Sequence, residues 1–540
     1  MASPATNTPR DSIPETQAPS ILATIVATIG PASESPDMVR RLIEAGVGIF
    51  RFNFSHGSFA DHERRLKTVR QVAAEMQTVV ACLGDLQGPK IRVGLIPAGV
   101  GQPSPSGGGM IDVAAGQDVI LKAGIKEAFM RPNPAAPGGA EPVLPVTYEP
   151  LITEVEPGHK VLINDGAVRM LAVERDLAAR ELRCRVTVGG LISSKKGINL
   201  PQTALSAPAI TERDWECVAW AVQHGLDFLA LSFVRTADEV MELKQRLSEL
   251  CPLDKTAQPN AAQGSWIPVI AKIEMPQAVA NLDKIVDAAD GIMVARGDLG
   301  VEMDIAKVPV VQKQILAACD LYGKPCIVAT QMLETMIESS TPTRAEASDV
   351  ANAIYDGADA VMLSAETATG KHPALVVETM ARIIACTEAQ LRSQPLPATP
   401  PSRLSAAHRG TAALAHGAWS IARDLNAKLV ACWSENGGTA RYLSQNRFNI
   451  PILAYSSSEH ATRRMLLLRG VTPVCCKPPG AGTLSEWNAA VDEYVLKRNL
   501  AAKGDAIVLL AGRPLGKAKA TNTIAIHKVG EATGYTAHSR

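Results

Sequence analysis

The sequence predicts an α/β protein: a (β/α)8 TIM barrel with an inserted β-barrel lid domain and a C-terminal α/β domain on an open parallel sheet. Three observations predict it. Between Ile21 and Glu366, short β-branched runs alternate eight times with helical periodicity, the pattern of βα units on a parallel sheet. Each run starts apolar and finishes in or beside a polar cluster, as in a barrel whose reactive groups gather at the C-terminal strand ends. The alternation is interrupted once, in the third unit, and a second βα region follows a Pro-rich stretch.

In chain order, residues 1–20 hold Pro4, Pro9, Pro14 and Pro19 among Ser, Thr and Ala. They resemble neither a signal peptide nor a basic transit helix and read as a disordered tail. Barrel strands are expected at 25–31, 48–55, 79–85, 228–233, 268–274, 291–298, 325–331 and 358–365. The barrel then takes residues 21–88 and 208–390. Residues 89–207, with short alternating runs at 119–121, 160–163 and 182–188, form the lid, and 131–145 holds too many Pro and Gly for regular structure. Helices are expected over 211–224 and 374–391, and a linker over 395–401. The C-terminal domain, 391–540, has strands near 429–433, 451–455, 473–476, 506–510 and 523–527.

Length and charge fit that division. At ~150 residues per domain, 540 residues imply two to four domains. Lys and Arg number 54 against 54 Asp and Glu, which excludes a broad polyanion-binding surface and so a nucleic-acid partner. No apolar run reaches the ~18 residues of a membrane helix. Ten Cys without CxxC pairs suit reduced thiols and a cytoplasmic location. The vicinal Cys475-Cys476 reads as core packing.

The chemistry lies at the strand ends. In AKIEMP, period-two alternation puts Lys272 and Glu274 on one face; the alternative is a solvated ion pair. MVARGDLG sets Asp298 just past a strand, so Glu274 and Asp298 suit Mg2+ held by one or two carboxylates and completed by substrate oxygens. The Gly297 and Asp298 amides, at a helix start, suit a small carboxylate. FRFNFSHG puts Arg51, Asn53 and Ser55 on one face and Phe50, Phe52 and Phe54 on the other, and Arg clamps phosphoryl groups bidentately; a half-buried strand with a polar face is the bland alternative. Asp85, Lys90 and Arg92 lie at one hinge of the insert and Lys195 and Lys196 at the other, as in a lid closing over a polyphosphate. Thr330 ends the seventh strand, with a hydroxyl able to orient water or relay a proton.

TIGPAS (28–33), FRFNFSHG (50–57), GDLQGPKIRVG (84–94), SKKGINLP (194–201), AKIEMP (271–276), MVARGDLGVE (293–302), ATQMLETM (329–336) and ETATGKHP (366–373) together resemble the pyruvate kinase family. The resemblance implies transfer of the phosphoryl group of phosphoenolpyruvate to ADP, giving ATP and pyruvate, by a cytoplasmic homotetramer needing Mg2+, or Mn2+ in its place. It implies that Arg51 and Lys272 bind the phosphoryl group and that Glu274 and Asp298 ligate the metal. Gly297, Asp298 and Thr330 hold the substrate carboxylate. Asn53, Phe54, Ser55, His56, Arg92 and Lys196 match the nucleotide side. Two other classes stay open: another phosphoenolpyruvate or pyruvate barrel enzyme, and a non-catalytic metabolite sensor.

Two departures stand out. Relatives that need K+ bind it through residues matching Asn53, Ser55, Asp85 and position 86, and carry Glu at position 90. Here Leu86 and Lys90 stand instead, as in the potassium-independent branch, so K+ is not expected to be required and Lys90 is expected to supply the charge near Asp85. In the last domain, WSENGGTARYL offers Ser434, Asn436, Gly437, Gly438 and Thr439 as an anion nest, with Arg513, Lys517 and Lys519 as phosphate partners. Glu435 and Gly438 argue against a sugar bisphosphate and for a monophosphorylated sugar or AMP as activator.

Overall fold

All eight expected barrel strands form, and a computed structural model describes residues 21–104, 108–251, 267–392, 409–479, 483–512, 515–517 and 520–531. The tail 1–20, the linker 395–401, Arg513 and Lys519 lie outside the described residues. Thr24–Thr28, Val47–Asn53, Ala81–Asp85, Phe228–Leu231, Val269–Ile273, Gly291–Ala295, Cys326–Ala329 and Ala360–Leu363 close a parallel barrel in sequence order. Period-two alternation divides their side chains. Val26, Ile49, Leu83, Ile270 and Met293 fill the interior, while Phe50, Phe52 and Phe54 pack outward beneath the helices. Gly84 permits that packing, since a Cβ there would meet the Phe54 ring at 2.7 Å.

The helices begin where the sequence supplies caps. Ser58 with Asp61, Thr211 with Asp214 and Thr343 with Glu346 form capping boxes, each stabilising its helix start by about 1 kcal/mol. At the barrel floor one device recurs at three even-numbered strands. Asp227, Asp290 and Asp359 each stand at or just before a strand start and accept the first or second amide of the preceding strand: Cys82 N at 2.9 Å, Val269 N at 2.9 Å and Cys326 N at 2.8 Å.

The insert leaves after the third strand and returns before the helix Glu212–Gln223. Its strands make a seven-stranded and a three-stranded sheet around one apolar core. The stretch expected to be irregular, 131–145, contains the strand Ala140–Pro145 and the end of Phe129–Pro132. Pro142 and Pro145 are accommodated there by pairing that still leaves Val143 and Leu144 fully buried.

The C-terminal sheet runs Val471–Cys475, Ile452–Ser456, Val430–Trp433, Ala506–Gly512, Thr521–Lys528. It corrects the expectation of an all-parallel sheet, because the last strand is antiparallel to its neighbour. Only residues 513–520 connect that pair, fewer than the dozen a parallel crossover needs. Cys475 is exposed and Cys476 half-buried, so Cys475 is not core. It ends the edge strand and is exposed there, although Val471 and Pro473 on the same face are buried.

This domain seats on the barrel floor. Leu466 and Leu467 join the interior cluster of the barrel. Arg463 reaches Asp227 at 2.7 Å and Arg447 reaches Asp359 at 3.1 Å.

Candidate active site

At the barrel mouth, four charged side chains from three strand ends converge. Arg51 Nε donates to Asp85 Oδ2 at 2.7 Å, and Arg51 Nη1 to Thr28 Oγ1 at 3.0 Å. Lys272 Nζ lies 3.2 Å from Asp85 Oδ1, 2.8 Å from Glu274 Oε1, and donates to Ser232 Oγ at 2.7 Å. Lys272 and Glu274 therefore share a face, as period-two alternation requires. Glu274 Oε2 also accepts the Phe233 amide at 2.6 Å.

Burial raises the stakes of each charge. It alone would push the Asp85 carboxyl up, but the Lys272 ammonium and the Arg51 guanidinium overcome it and hold Asp85 below its usual value. Burial works against the Lys272 cation, yet Asp85 and Glu274 more than compensate and raise it. Glu274 is pushed up to about 7 by burial, with Asp298 adding and Lys272 opposing. The same fate meets Glu302, also raised to about 7 by burial, whose Oε1 accepts Asn199 Nδ2 of the lid at 2.8 Å.

Across the mouth, the helix Arg296–Glu302 begins directly after the sixth strand. Gly297 N donates to Thr330 Oγ1 at 2.7 Å, and Thr330 Oγ1 to Ala329 O at 2.6 Å. The helix start is locked by Arg296, which reaches Asp349 at 2.7 Å and the Thr330 carbonyl at 2.8 Å. Phe233, Thr330 and Gln331 hold φ of +54°, +70° and +54°. Non-glycine residues adopt such angles at a cost of order 1–3 kcal/mol, sustained where surrounding bonds over-determine them.

Glu274 and Asp298 provide two oxygen-bearing groups, and no group of three or more His, Cys, Asp or Glu able to hold a metal occurs among the described residues. That donor set fits Mg2+, which keeps waters and substrate oxygens in its shell. The Asp298 carboxylate makes no hydrogen bond or ion pair among the described residues, so a carboxylate whose charge is felt by Glu274 stands uncommitted.

On the lid side, Arg92 and Lys196 come together: Val93 N donates to Lys196 O at 2.8 Å, and Arg92 Nη1 to Lys195 O at 3.0 Å. In the 53–56 turn, Asn53 Oδ1 accepts Ser55 N at 3.1 Å. The Phe54 side chain is buried against His62 and Trp220 and its amide donates to Asp85 O, so only its carbonyl can face a ligand. Lys90 departs from expectation: its ion pair is with Asp165 of the insert at 3.7 Å, while the cations on Asp85 are Arg51 and Lys272. Leu86 is buried, its side chain offers no oxygen, and its carbonyl already accepts Ser232 Oγ at 2.7 Å.

Sequence reasoning set Ser232 and Arg296 among the polar strand ends of the mouth but missed them, with Thr28, as partners of Lys272, Asp349 and Arg51, because a lone hydroxyl or arginine at a strand end carries no signal of what it meets. In the last domain, two expected anion ligands are committed to the fold. Ser434 Oγ accepts Ala440 N at 3.1 Å, and Thr439 Oγ1 meets Thr521 Oγ1 at 2.7 Å. Glu435 folds back onto Trp433 Nε1 at 2.9 Å and Ser457 Oγ. Asn436 and Gly438 are exposed, as is Lys517.

Fold and mouth define the class: a lidded (β/α)8-barrel enzyme with cationic and carboxylate groups facing each other over a small site. The family model "Pyruvate kinase, barrel domain" matches residues 22–377, and "Pyruvate kinase, alpha/beta domain" matches 412–527. The chain is 38% identical over 507 residues to a pyruvate kinase of Sporosarcina psychrophila, covering 94% of this chain and 80% of that one. It is 38% identical over 509 residues to pyruvate kinases of Staphylococcus aureus strains MRSA252 and NCTC 8325, with the same coverage. The chain belongs to the pyruvate kinase family and is a phosphotransferase.

Proposed function

We propose that the chain transfers the phosphoryl group of phosphoenolpyruvate to ADP, giving ATP and, after protonation of the enol, pyruvate. The observation that carries this reading is Lys272, a buried ammonium fixed by Asp85, Glu274 and Ser232. Such a preorganised cation needs no reorganisation as charge moves between leaving and attacking oxygens. Arg51 clamps the transferring group from the neighbouring wall. The amides of Gly297 and Asp298, with the Thr330 hydroxyl, hold the substrate carboxylate once it displaces the bonds that Gly297 N makes to Thr330 Oγ1 and Thr330 Oγ1 to Ala329 O. The 53–56 turn, Arg92 and Lys196 hold the nucleotide, and lid closure excludes water, which would otherwise accept the phosphoryl group.

Glu274 and Asp298 would hold Mg2+, with Mn2+ as substitute. Bound there, the metal neutralises phosphoryl charge. K+ is not required on this reading: at the family's K+ positions the Leu86 side chain is hydrocarbon and its carbonyl accepts Ser232 Oγ, and both oxygens of Asp85 already face cations. The barrel (21–88 and 208–390), lid (89–207) and C-terminal domain (391–540) act as catalytic, closing and regulatory units of a cytoplasmic homotetramer. A phosphorylated metabolite activates it through the 434–439 loop. No helix of the described residues is long and apolar enough to cross a membrane.

The test is pyruvate release from phosphoenolpyruvate with and without ADP and Mg2+, in buffer free of K+ and NH4+. Release that needs both additions is expected, and release without ADP would overturn the reaction. A large stimulation by K+ would overturn the potassium-independent reading alone.

A further inference from the structure

One contact between lid and barrel falls on the helix that carries Asp298. Glu302 ends this helix, Arg296–Glu302, and its Oε1 accepts Asn199 Nδ2 at 2.8 Å. Asn199 belongs to the lid strand Ile198–Asn199, which pairs with Lys160–Ile163 in the seven-stranded sheet. Nearby the lid turn at Gly166 lies over Val301, whose Cγ1 is 3.9 Å from where a Gly166 Cβ would stand. Glu302 and Asn199 are both buried, at 4% and 7% exposure. Their single bond leaves two acceptors over: Glu302 Oε2 and Asn199 Oδ1 are each buried without a partner. A buried acceptor left unpaired is costly, and here two of them sit on one amide–carboxyl pair.

Glu302 makes no ion pair among the described residues. Lys90 and Arg235 line the same cavity of about 40 Å³ that the pair borders, but each is engaged elsewhere. Lys90 is paired with Asp165 at 3.7 Å, and Arg235 with Glu239 at 2.7 Å and with the Leu205 and Ala207 carbonyls at 2.6 and 2.7 Å. Burial raises the Glu302 carboxyl to about 7; the Asn199 bond opposes, and the like charges of Asp298 on its own helix and Glu274 on the fifth strand add. A carboxylate is an acceptor only, whereas a carboxylic acid also donates one O–H. An acid and a primary amide therefore close a ring of two hydrogen bonds, and one proton on Oε2 pairs both orphaned acceptors at once.

We propose that Glu302 is a positioning residue that latches the lid as a neutral acid, its Oε1 accepting Asn199 Nδ2–H and its Oε2–H donating to Asn199 Oδ1. Forming the latch takes one proton from solvent. Lifting the lid gives both carboxyl oxygens back to water and returns that proton. The latched state thus binds one proton more than the open one between the ordinary carboxyl value of 4.5 and about 7, so raising the pH through that window favours opening. The inference rests on the reading of the insert as the closing unit of a phosphoryl-transfer site. Arg92 and Lys196 belong to the lid, so the latch acts on nucleotide binding and leaves the transfer step to Lys272 and Arg51.

The test uses the full chain and two variants. Glu302→Gln carries an amide N–H where the acid carries its proton, so it keeps the ring at every pH; Glu302→Ala removes it. In the metal-free protein at about pH 6, below the raised value, the infrared difference between wild type and Glu302→Gln should show a carboxylic C=O band that fades as the pH rises. With Mg2+ and saturating phosphoenolpyruvate, the wild-type KM for ADP should rise about three- to tenfold over the same range, the worth of one hydrogen bond. Its midpoint should lie at or below that of the band, because bound metal offsets the charges of Glu274 and Asp298. Glu302→Gln should hold the low KM throughout and Glu302→Ala the high one, with kcat alike in all three. Absence of the carboxylic band would mean that water serves the two acceptors and would overturn the latch. So would a KM that varies with pH in Glu302→Gln as it does in wild type. The band does not depend on turnover, so failure of the catalytic reading is seen separately, as absence of pyruvate formation at any pH.

Discussion

The two ends of the barrel bury similar charges and put them to different use. At the floor, each carboxylate is complete: Asp227 has the Cys82 amide and Arg463, Asp359 the Cys326 amide and Arg447, Asp290 the Val269 amide and Lys244. At the mouth, Asp85 and Glu274 share the single ammonium of Lys272, Asp298 stands alone, and three residues hold left-handed backbone angles. Complete pairs bind one part of a protein to another. Incomplete ones are where a ligand finishes the network.

If that division is right, substitutions at the mouth remove activity and those at the floor remove stability. The largest effect is expected from Lys272→Met, which deletes the cation serving both carboxylates: kcat should fall on the order of 10³-fold, measured as ADP-dependent pyruvate release. Activity within tenfold of wild type would break the comparison at its centre. Next comes Asp298→Asn. Losing a metal ligand costs at least as much as losing a supporting partner, about 10–100-fold in metal affinity. The Mg2+ concentration giving half-maximal activity should rise by that factor, with kcat at saturating Mg2+ recovering in part.

The floor should behave in reverse. Asp227→Asn keeps the amide acceptor but leaves Arg463 without its counter-charge, and breaking a buried pair costs about 3–5 kcal/mol. Thermal unfolding should shift down by several degrees, with kcat at saturating substrates changed less than twofold. A large loss of kcat without a change in Tm would show that the floor carries catalytic function.

Much of this was legible in the chain. The eight strand ends, the shared face of Lys272 and Glu274, and the split of Arg51 from Phe50 and Phe52 all follow from period-two alternation. What was not legible depends on residues that meet only after folding. Ser232 is one hydroxyl among many until Lys272 arrives from the next strand. Asp227, Asp290 and Asp359 carry no signal in the sequence, since nothing in a lone Asp before a strand says that it will accept an amide of the strand before. Lys90 was expected beside Asp85 because the family resemblance put a charge there, yet the chain turns into the insert and delivers it to Asp165. Glu435 looked like a repulsive charge in an anion nest, and only its bonds to Trp433 and Ser457 show that it faces away.

The smallest expected effect is also a sensitive test of the contrast, because Asp85 at the mouth and Asp359 at the floor are shifted in opposite directions. Burial pushes both carboxyls up. At the mouth Lys272 and Arg51 reverse this and lower Asp85, whereas at the floor Arg447 and the Cys326 amide do not, and Asp359 stays raised. The signs follow from linkage. Asp85, depressed when folded, contributes stability above its unfolded value of about 4 and loses it as pH falls through the lower folded value. Asp359, raised when folded, costs stability where it is ionised, and that cost is relieved as pH falls through its higher folded value. Once either carboxyl is protonated, wild type resembles the corresponding Asn variant. On acidification from pH 7, the Tm gap between wild type and Asp359→Asn should therefore narrow first, while the gap for Asp85→Asn persists to lower pH. Gaps that close in the opposite order would mean that the mouth, not the floor, holds its carboxylates at a cost.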